Sequence, residues 1–414
     1  MSAALAAITG FGVISSAGCD RASCAAALAD AAASFSEVDR SAGYHHRGAA
    51  RQGALVDGAA LRRWLTPLEA RRMSPPSRFA VAATRQAMEQ AGLEVGAELA
   101  RPRRASSREE TAVLLGTSYG PASYSERLLR QILLEGPTAA SPSLFTESVA
   151  NAPAAQVALQ VGARGPNLTI TQREASAVMA LGRAAWEVSE GRAEAALAGG
   201  VEELAPLLHS VLDGYRALAR EPDETPRPFD RRRRGFVAGE GAVVARLERE
   251  ADARARGAAV LGRVAFFARA FDPTAPATAW SARPQALASG LSRALGAAGW
   301  EPSSIDLVVT GASGSRAGDR AEAFVLTEVW GGQPLPPVAA PKAVLGEWVG
   351  APLAAALCAL EGAPPGATPG FAVVDPELGV VPYDGRPTEP PRRVLLSVLA
   401  AGGAGAWVGL EAGR

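Results

Sequence analysis

An α/β fold of two packed halves is predicted by three features of the chain. Short apolar runs rich in β-branched residues alternate with alanine-rich amphipathic stretches, the pattern of a mainly parallel sheet covered by helices. At 414 residues, 48% hydrophobic and 20% charged, the chain can bury a large core and exceeds the length of one average domain. The Pro-, Arg- and Gly-rich segment Arg220 to Gly241 separates two stretches of similar strand and helix order, so it reads as a linker between duplicated halves. The halves are expected over residues 1–250 and 251–414.

The elements follow in order. Ala4 to Thr9 is apolar and precedes Gly10 and Gly12; with no basic leader before it, it reads as a buried strand and a glycine turn rather than a signal peptide. Further strands are expected at Thr111 to Gly116, Asn167 to Thr171, Ala195 to Ala198, Ala242 to Leu247, Val260 to Ala268, Asp306 to Thr310 and Arg393 to Leu399. Apolar residues at helical spacing predict helices over Ser77 to Ala91, Ser123 to Leu134, Ala177 to Glu190, Pro284 to Ala298, Gly318 to Val329 and Gly350 to Leu360. Ser36 to Arg51, Ala100 to Ser107, Gly332 to Pro341 and Gly362 to Pro391 read as surface connections. No short-period repeat is present, which excludes solenoids and propellers.

Composition narrows the function. Forty-two basic residues cancel forty-two acidic ones, leaving no net field to gather a polyanion, so nucleic acid is excluded as a partner. The run Arg231 to Arg234 reads as a solvated turn, and the other arginines are spread over many faces. Lys342 is the only lysine. Cys19, Cys24 and Cys358 are odd in number and lack metal-ligand spacing, which fits a reducing cytoplasm. His45, His46 and His209 stand in no metal or triad pattern. No apolar stretch reaches the roughly 18 residues of a membrane span. Gly10, Gly12 and Ser15 imitate a dinucleotide fingerprint, but the third glycine and the acidic residue closing a second strand are missing. No cofactor and no metal are expected.

The chemistry concentrates in Arg164-Gly-Pro-Asn-Leu-Thr-Ile-Thr-Gln-Arg-Glu-Ala-Ser-Ala177, a strand that turns abruptly into a buried helix with Glu174 at the turn. Folds install nucleophiles at such turns, where the helix N-terminus stabilises an anion. This chain carries a carboxylate there.

That frame resembles the nucleophile turn of the β-ketoacyl synthases of the thiolase superfamily. The resemblance spans nearly the whole chain: Ile8-Thr-Gly-Phe-Gly-Val-Ile-Ser15, Ala150-Asn151, Arg164-Gly-Pro-Asn167, Leu197-Ala-Gly-Gly200, Arg227-Pro-Phe-Asp230, Gly235-Phe-Val-Ala-Gly-Glu-Gly-Ala242, Asp306 to Asp319 and Lys342 to Gly350. It implies a thiolase-like fold, two packed α/β halves in a five-layered αβαβα arrangement. The family's condensing enzymes use a cysteine and two histidines, and the matching positions here hold Glu174, Gly311 and Glu347. The family's active-site lysine is retained as Lys342, and the gating aromatic of its C-terminal Gly-Phe-Gly-Gly loop is replaced by Ala401 in Ala400-Ala-Gly-Gly403.

Condensation requires a thiolate to carry the acyl chain and donors for the enolate oxygen. Gly311 offers no side-chain donor, and an ionised Glu347 opposes the malonyl carboxylate by roughly 4 kcal/mol at about 4 Å and an effective dielectric of about 20. Glu174 is expected to be a structural anion held by the helix dipole and Lys342, with a nucleophile or general base as the less favoured role. A ketosynthase fold without its catalytic residues resembles the chain-length factor of type II polyketide synthases. The resemblance implies a heterodimer with an active ketosynthase, an acyl carrier protein bearing the growing chain, and a tunnel along the subunit interface. By register, Ala122, Ser125 and Leu129 match the gate positions on one helical face, and Tyr119 in the preceding loop forms a floor or side wall. Phe145, Arg78, Phe79 and Asn151 match interface or supporting positions. Aromatic members usually carry glutamine in place of the cysteine; Glu174 departs from this, and the product stays open between an aromatic and a reduced polyene. Two alternatives remain: a repurposed decarboxylase or acyltransferase using Glu174, and a scaffolding homodimer.

Overall fold

The computed structural model describes residues 4–46, 48–94, 110–220, 223–386 and 389–413; the expected connection Ala100 to Ser107 lies outside them. Ten strands form one hydrogen-bonded sheet: β1 (Ala6–Ile14), β2 (Thr111–Gly116), β3 (Asn167–Ile170), β4 (Ala195–Glu202), β5 (Gly241–Glu248), β6 (Gly262–Phe271), β7 (Leu307–Thr310), β8 (Val338–Ala339), β9 (Arg393–Ala400) and β10 (Ala404–Ala412). Their spatial order is β8-β7-β9-β10-β6-β1-β5-β4-β2-β3. Read outward from the centre, the first five strands and the last five follow the same order with the same directions. The two halves meet through the pairs Ala6↔Val264, Ala7↔Arg263 and Ile8↔Gly262.

The sheet is mixed, not mainly parallel. β2, β3 and β4 pair in parallel, as do β7, β8 and β9, but β5 and β10 run antiparallel to their neighbours. The tight turn Ala401–Gly403 between β9 and β10 suffices for an antiparallel return, whereas a parallel return needs a long crossover. The β-branched runs look alike in both directions once both faces are covered, so composition did not separate the cases.

Helices divide the core into three apolar layers. On one outer face α1 (Pro75–Gln90) packs on β1, β4 and β5. On the other, α5 (Gln285–Ala298) packs on β6 and β10, with α6 (Arg316–Trp330) on β9. Between the halves lie α3 (Ser176–Ser189) and α7 (Ala351–Leu360), whose Ala177, Leu181, Ala184, Leu353 and Leu357 share one buried cluster with strand residues of both halves. Outer helices, sheet, central helices, sheet and outer helices give the five layers.

Three expectations are corrected by packing. β1 runs through Gly10 and Gly12 rather than turning at them. A Cβ at Gly10 would fall 2.2 Å from the Ala87 carbonyl oxygen and one at Gly12 2.0 Å from that of Ala83, so these glycines let α1 approach the strand. Arg220 to Gly241 is not a loose linker. Phe229 and Asp230 are fully buried, and the Asp230 carboxylate accepts from the Ala372 and Val373 N–H groups at 2.7 and 2.8 Å. In the Pro-rich stretch 332–341, Val338, Ala339 and Ala340 are buried, because β8 completes the sheet edge there.

Candidate functional site

The turn after β3 is built from its own backbone. Arg173–Ala175 form a 3-10 turn with Arg173 in the left-handed region at φ 47°, and α3 begins at Ser176. Ser176 Oγ accepts from the Gln172 N–H at 2.8 Å and donates to the Arg173 carbonyl at 2.6 Å. Gly116 at the end of β2 lies under this elbow, where a Cβ would stand 2.3 Å from the Ser176 backbone.

Glu174 projects from the elbow into a cavity of about 870 Å³, lined also by Tyr119, Glu347, Ala401, Trp280 and Ser313. Its Oε2 accepts from the Ala401 N–H at 3.1 Å, so its partner is the C-terminal loop and not Lys342. Lys342 is fully buried and donates from Nζ to Glu347 Oε1 at 2.6 Å. The reason is local: Glu347 is fixed beside Lys342 because its N–H donates to the Val237 carbonyl at 2.8 Å and its carbonyl accepts from Gly239 N–H at 3.0 Å. Lys342 also cancels much of the repulsion expected of Glu347.

Burial pushes the Glu174 carboxyl above the ordinary carboxylate range, and the neighbouring Glu347 charge adds to the rise; Lys342 opposes it. Glu322 on α6 lies behind the pair. Burial raises it to about 7, against hydrogen bonds from Ser397 Oγ at 2.5 Å and the Leu399 N–H at 3.3 Å and the attraction of Lys342. One buried cation therefore serves several carboxyl groups.

The other expected site residues divide into those at this cavity and those away from it. Gly311 follows β7 and donates its N–H to the Ser397 carbonyl at 2.9 Å; a Cβ there would stand 2.9 Å from Val398 Cγ1, so any side chain would displace Val398. Ala122, Ser125 and Leu129 lie on α2 (Ala122–Glu135), apart from the cavity lining. Ser125 Oγ donates to the Ser148 carbonyl at 2.8 Å, and Leu129 is 57% exposed. Phe145 and Asn151 are exposed, Phe79 is core, and Arg78 Nε donates to the Met73 carbonyl at 2.9 Å. None of the cysteines or histidines lines the cavity among the described residues. Cys24 and Cys358 are instead buried in the central core.

The cavity also shows what sequence reasoning missed. Arg173, Arg216, Arg234 and Arg316 line it, so these arginines are gathered rather than spread. Among the described residues, Arg173, Arg216 and Arg234 make no ion pair or side-chain hydrogen bond. Arg216, at φ 57°, shares the left-handed backbone of Arg173. In the run Arg231 to Arg234 three residues are exposed, as a solvated turn predicts, but Arg233 is buried against Asp375 at 2.6 Å, and Arg232 pairs with Asp230 at 3.0 Å. No periodic signal marks the cavity arginines, because they come from the elbow after β3, the long connection between the helix Pro206–Gly214 and β5, and the start of α6. Among the described residues no cluster of His, Cys, Asp or Glu is placed to hold a metal, and no helix is long and apolar enough to cross a membrane.

Residues 6–253 match the β-ketoacyl synthase N-terminal domain and residues 261–360 its C-terminal domain. The chain belongs to the β-ketoacyl synthase family. It is 33% identical over 260 residues to nodulation protein E of Rhizobium meliloti (strain 1021), covering 61% of this chain and 60% of that protein. Other relatives carry the name 3-oxoacyl-[acyl-carrier-protein] synthase 2. The chain thus spans about 60% or less of the length of the first curated synthase-family relatives it matches. Among solved structures, this β-ketoacyl synthase-like chain is similar to the ishigamide ketosynthase/chain length factor, with 27% identity, a TM-score of 0.85 and 98% of each chain covered. A type II polyketide synthase acyl-carrier protein in complex with its ketosynthase shares the fold at 23% identity and a TM-score of 0.84, again over 98% of each chain.

Proposed function

We propose that the protein is a non-catalytic chain-length factor that pairs with an active ketosynthase and shapes the tunnel for a polyketide chain carried on an acyl carrier protein. The observation that carries this reading is the Lys342–Glu347 ion pair at 2.6 Å beside Glu174. Glu347 of that pair, with Glu174 and Gly311, stands where the resemblance puts the two imidazoles and the thiol of a condensing enzyme, and none of the three supplies a thiolate or an imidazole donor. The likeness to a ketosynthase/chain length factor over nearly the whole chain supports it. So does the exposed apolar surface at Leu129, Leu133, Leu134, Phe145 and Leu159, which an obligate partner would cover. Ala122, Ser125 and Leu129, apart from the cavity lining and facing the partner, are the gate in this proposal, with Tyr119 at the cavity wall. The arginine-lined mouth suits an acidic carrier protein.

One observation favours a second reading. A carboxyl held above its ordinary range, as Glu174 is, suits a general acid. Turnover of a malonyl carrier by the isolated subunit would support that repurposed enzyme. The deciding experiment is native mass spectrometry of a tagged copy purified from its own host cells. A one-to-one complex with a ketosynthase that retains cysteine and both histidines is expected; a homodimer alone would overturn the chain-length reading.

A further inference from the structure

Two of the three histidines, far apart in sequence, meet in space. His45 Nε2 and His209 Nδ1 are 2.9 Å apart, and His209 Nε2 lies 3.2 Å from the Gln52 carbonyl oxygen. That carbonyl can only accept, so His209 carries its proton on Nε2 and accepts at Nδ1. His45 must then donate from Nε2, which leaves its buried Nδ1 as an acceptor with no partner. With both rings neutral, this chain of bonds fixes both tautomers.

The pair joins two parts of the site through a strap. The strap is the loop between the short paired strands Ser36–Glu37 and Gln52–Gly53. Tyr44 donates its hydroxyl to Glu126 of α2 and accepts from Arg130 of α2 at 2.7 Å. His45 grips the helix Pro206–Gly214, whose His209 and Asp213 lie one turn apart on the face toward the strap. Asp213 accepts from the Ala50 N–H at 3.2 Å. The opposite face of that helix presents Leu208, Val211 and Leu212 to the cavity. Neighbouring strap residues thus hold the proposed gate helix on one side and the cavity wall on the other.

We propose that Tyr44 and His45 form a clasp that couples the position of α2 to that of the cavity-wall helix, making them positioning residues for the length of chain the complex accepts. The length component rests on the chain-length reading; the coupling does not. Acid opens the clasp, because a second proton would put two imidazolium rings nitrogen to nitrogen at 2.9 Å. Burial holds both rings below the ordinary histidine range; Arg40 adds to this at His45 and His45 adds to it at His209, while Asp213 opposes it at both and Glu224 at His209. Asp213 is itself tied to Arg220 at 2.9 Å, and Glu126 to Tyr44 and Arg130, so neither carboxylate is free to follow the histidines. The sign follows: with both values depressed in the folded protein, the clasp's stabilisation is complete above the ordinary histidine value and is lost as pH falls.

Hydrogen exchange of the isolated full chain, corrected for intrinsic pH dependence, tests the coupling. His45→Leu should speed exchange several-fold in both α2 and Pro206–Gly214, and wild type should do so at pH 5.5 relative to 7.5. His45→Gln keeps a donor near the Nε2 position, so it should exchange as wild type at pH 7.5 and lose the acid response. Faster exchange in only one helix, or in neither, overturns the coupling. In the assembled complex, Tyr44→Phe and His45→Leu should shift the distribution of product lengths with total turnover within about two-fold. Unshifted product lengths overturn the length role while exchange still decides the coupling. A chain that finds no ketosynthase partner fails the chain-length reading alone.

Discussion

At the same point of the same topology the two halves lead a strand into a buried central helix by different connections, a 3-10 turn at Arg173–Ala175 and a helical turn at Lys342–Leu345, and give their glutamates different partners. In each half the third strand, β3 or β8, ends in a turn that leads to a buried central helix, α3 or α7. The first-half turn carries Glu174, whose carboxylate accepts from the Ala401 N–H and has no ion-pair partner among the described residues. The second-half turn carries Glu347, whose carboxylate has the buried ammonium of Lys342. Their left-handed residues also differ. The first half uses Arg173 at φ 47°, whose side chain opens into the cavity; the second uses Gly346 at φ 78°, where a Cβ would stand 2.4 Å from Ala54 Cβ. The two halves therefore share a strand order, while local crowding and access to the cavity decide which residues each turn tolerates.

The largest way to break the comparison is to remove the cation. Lys342→Met leaves Glu347 without its partner and should destabilise the fold by about 3–5 kcal/mol, read by denaturant unfolding of the purified chain. Lys342→Met with Glu347→Leu should recover most of that loss, since an apolar pair of similar volume removes both desolvation costs. A single variant as stable as wild type would mean that the pair is solvated, and the two turns would be electrostatically alike.

Exchanging the left-handed residues sharpens it. Gly346→Ala should cost roughly 1–2 kcal/mol for the backbone conformation and more for the contact with Ala54. Arg173→Gly should instead raise stability by about 1 kcal/mol in thermal melts while weakening capture of an acyl carrier protein by the complex. If Arg173→Gly lowers stability, the arginine is structural and the mouth is not its reason for being there.

The difference between the halves was only partly legible in the sequence. β2 was read to the residue and most other strands to within a few positions, because β-branched runs bounded by glycine and proline carry their own signal. β10 went unread: Ala404–Ala412 is broken by Gly405 and Gly409, whose absent side chains make room for Trp407 and Phe266. Glu174 and Glu347 stood out because their neighbours form contiguous motifs. Which of them Lys342 would serve did not, since that depends on the Val237 and Gly239 backbone contacts of Glu347 across the chain. The arginine mouth and the His45–His209 contact were invisible for the same reason: each is assembled from connections that share no period.

The smallest expected effect is the most direct test of the unpaired carboxyl. Glu174 titrates above its ordinary value in the fold, so its favourable contribution is complete below the unfolded carboxyl value and is lost as pH rises through the folded one. Glu202, Glu240 and Glu322, raised by burial to about 7, impose the same trend on the whole chain, so the informative quantity is a difference between variants. Glu174→Gln keeps the shape and cannot ionise. Its melting temperature should match wild type near pH 4.5 and exceed it increasingly toward pH 8, with turnover of the assembled complex within a few-fold. A gap that is flat with pH would show that Glu174 is already paired as well as Glu347 is, and loss of turnover would move it from structural anion to catalytic residue.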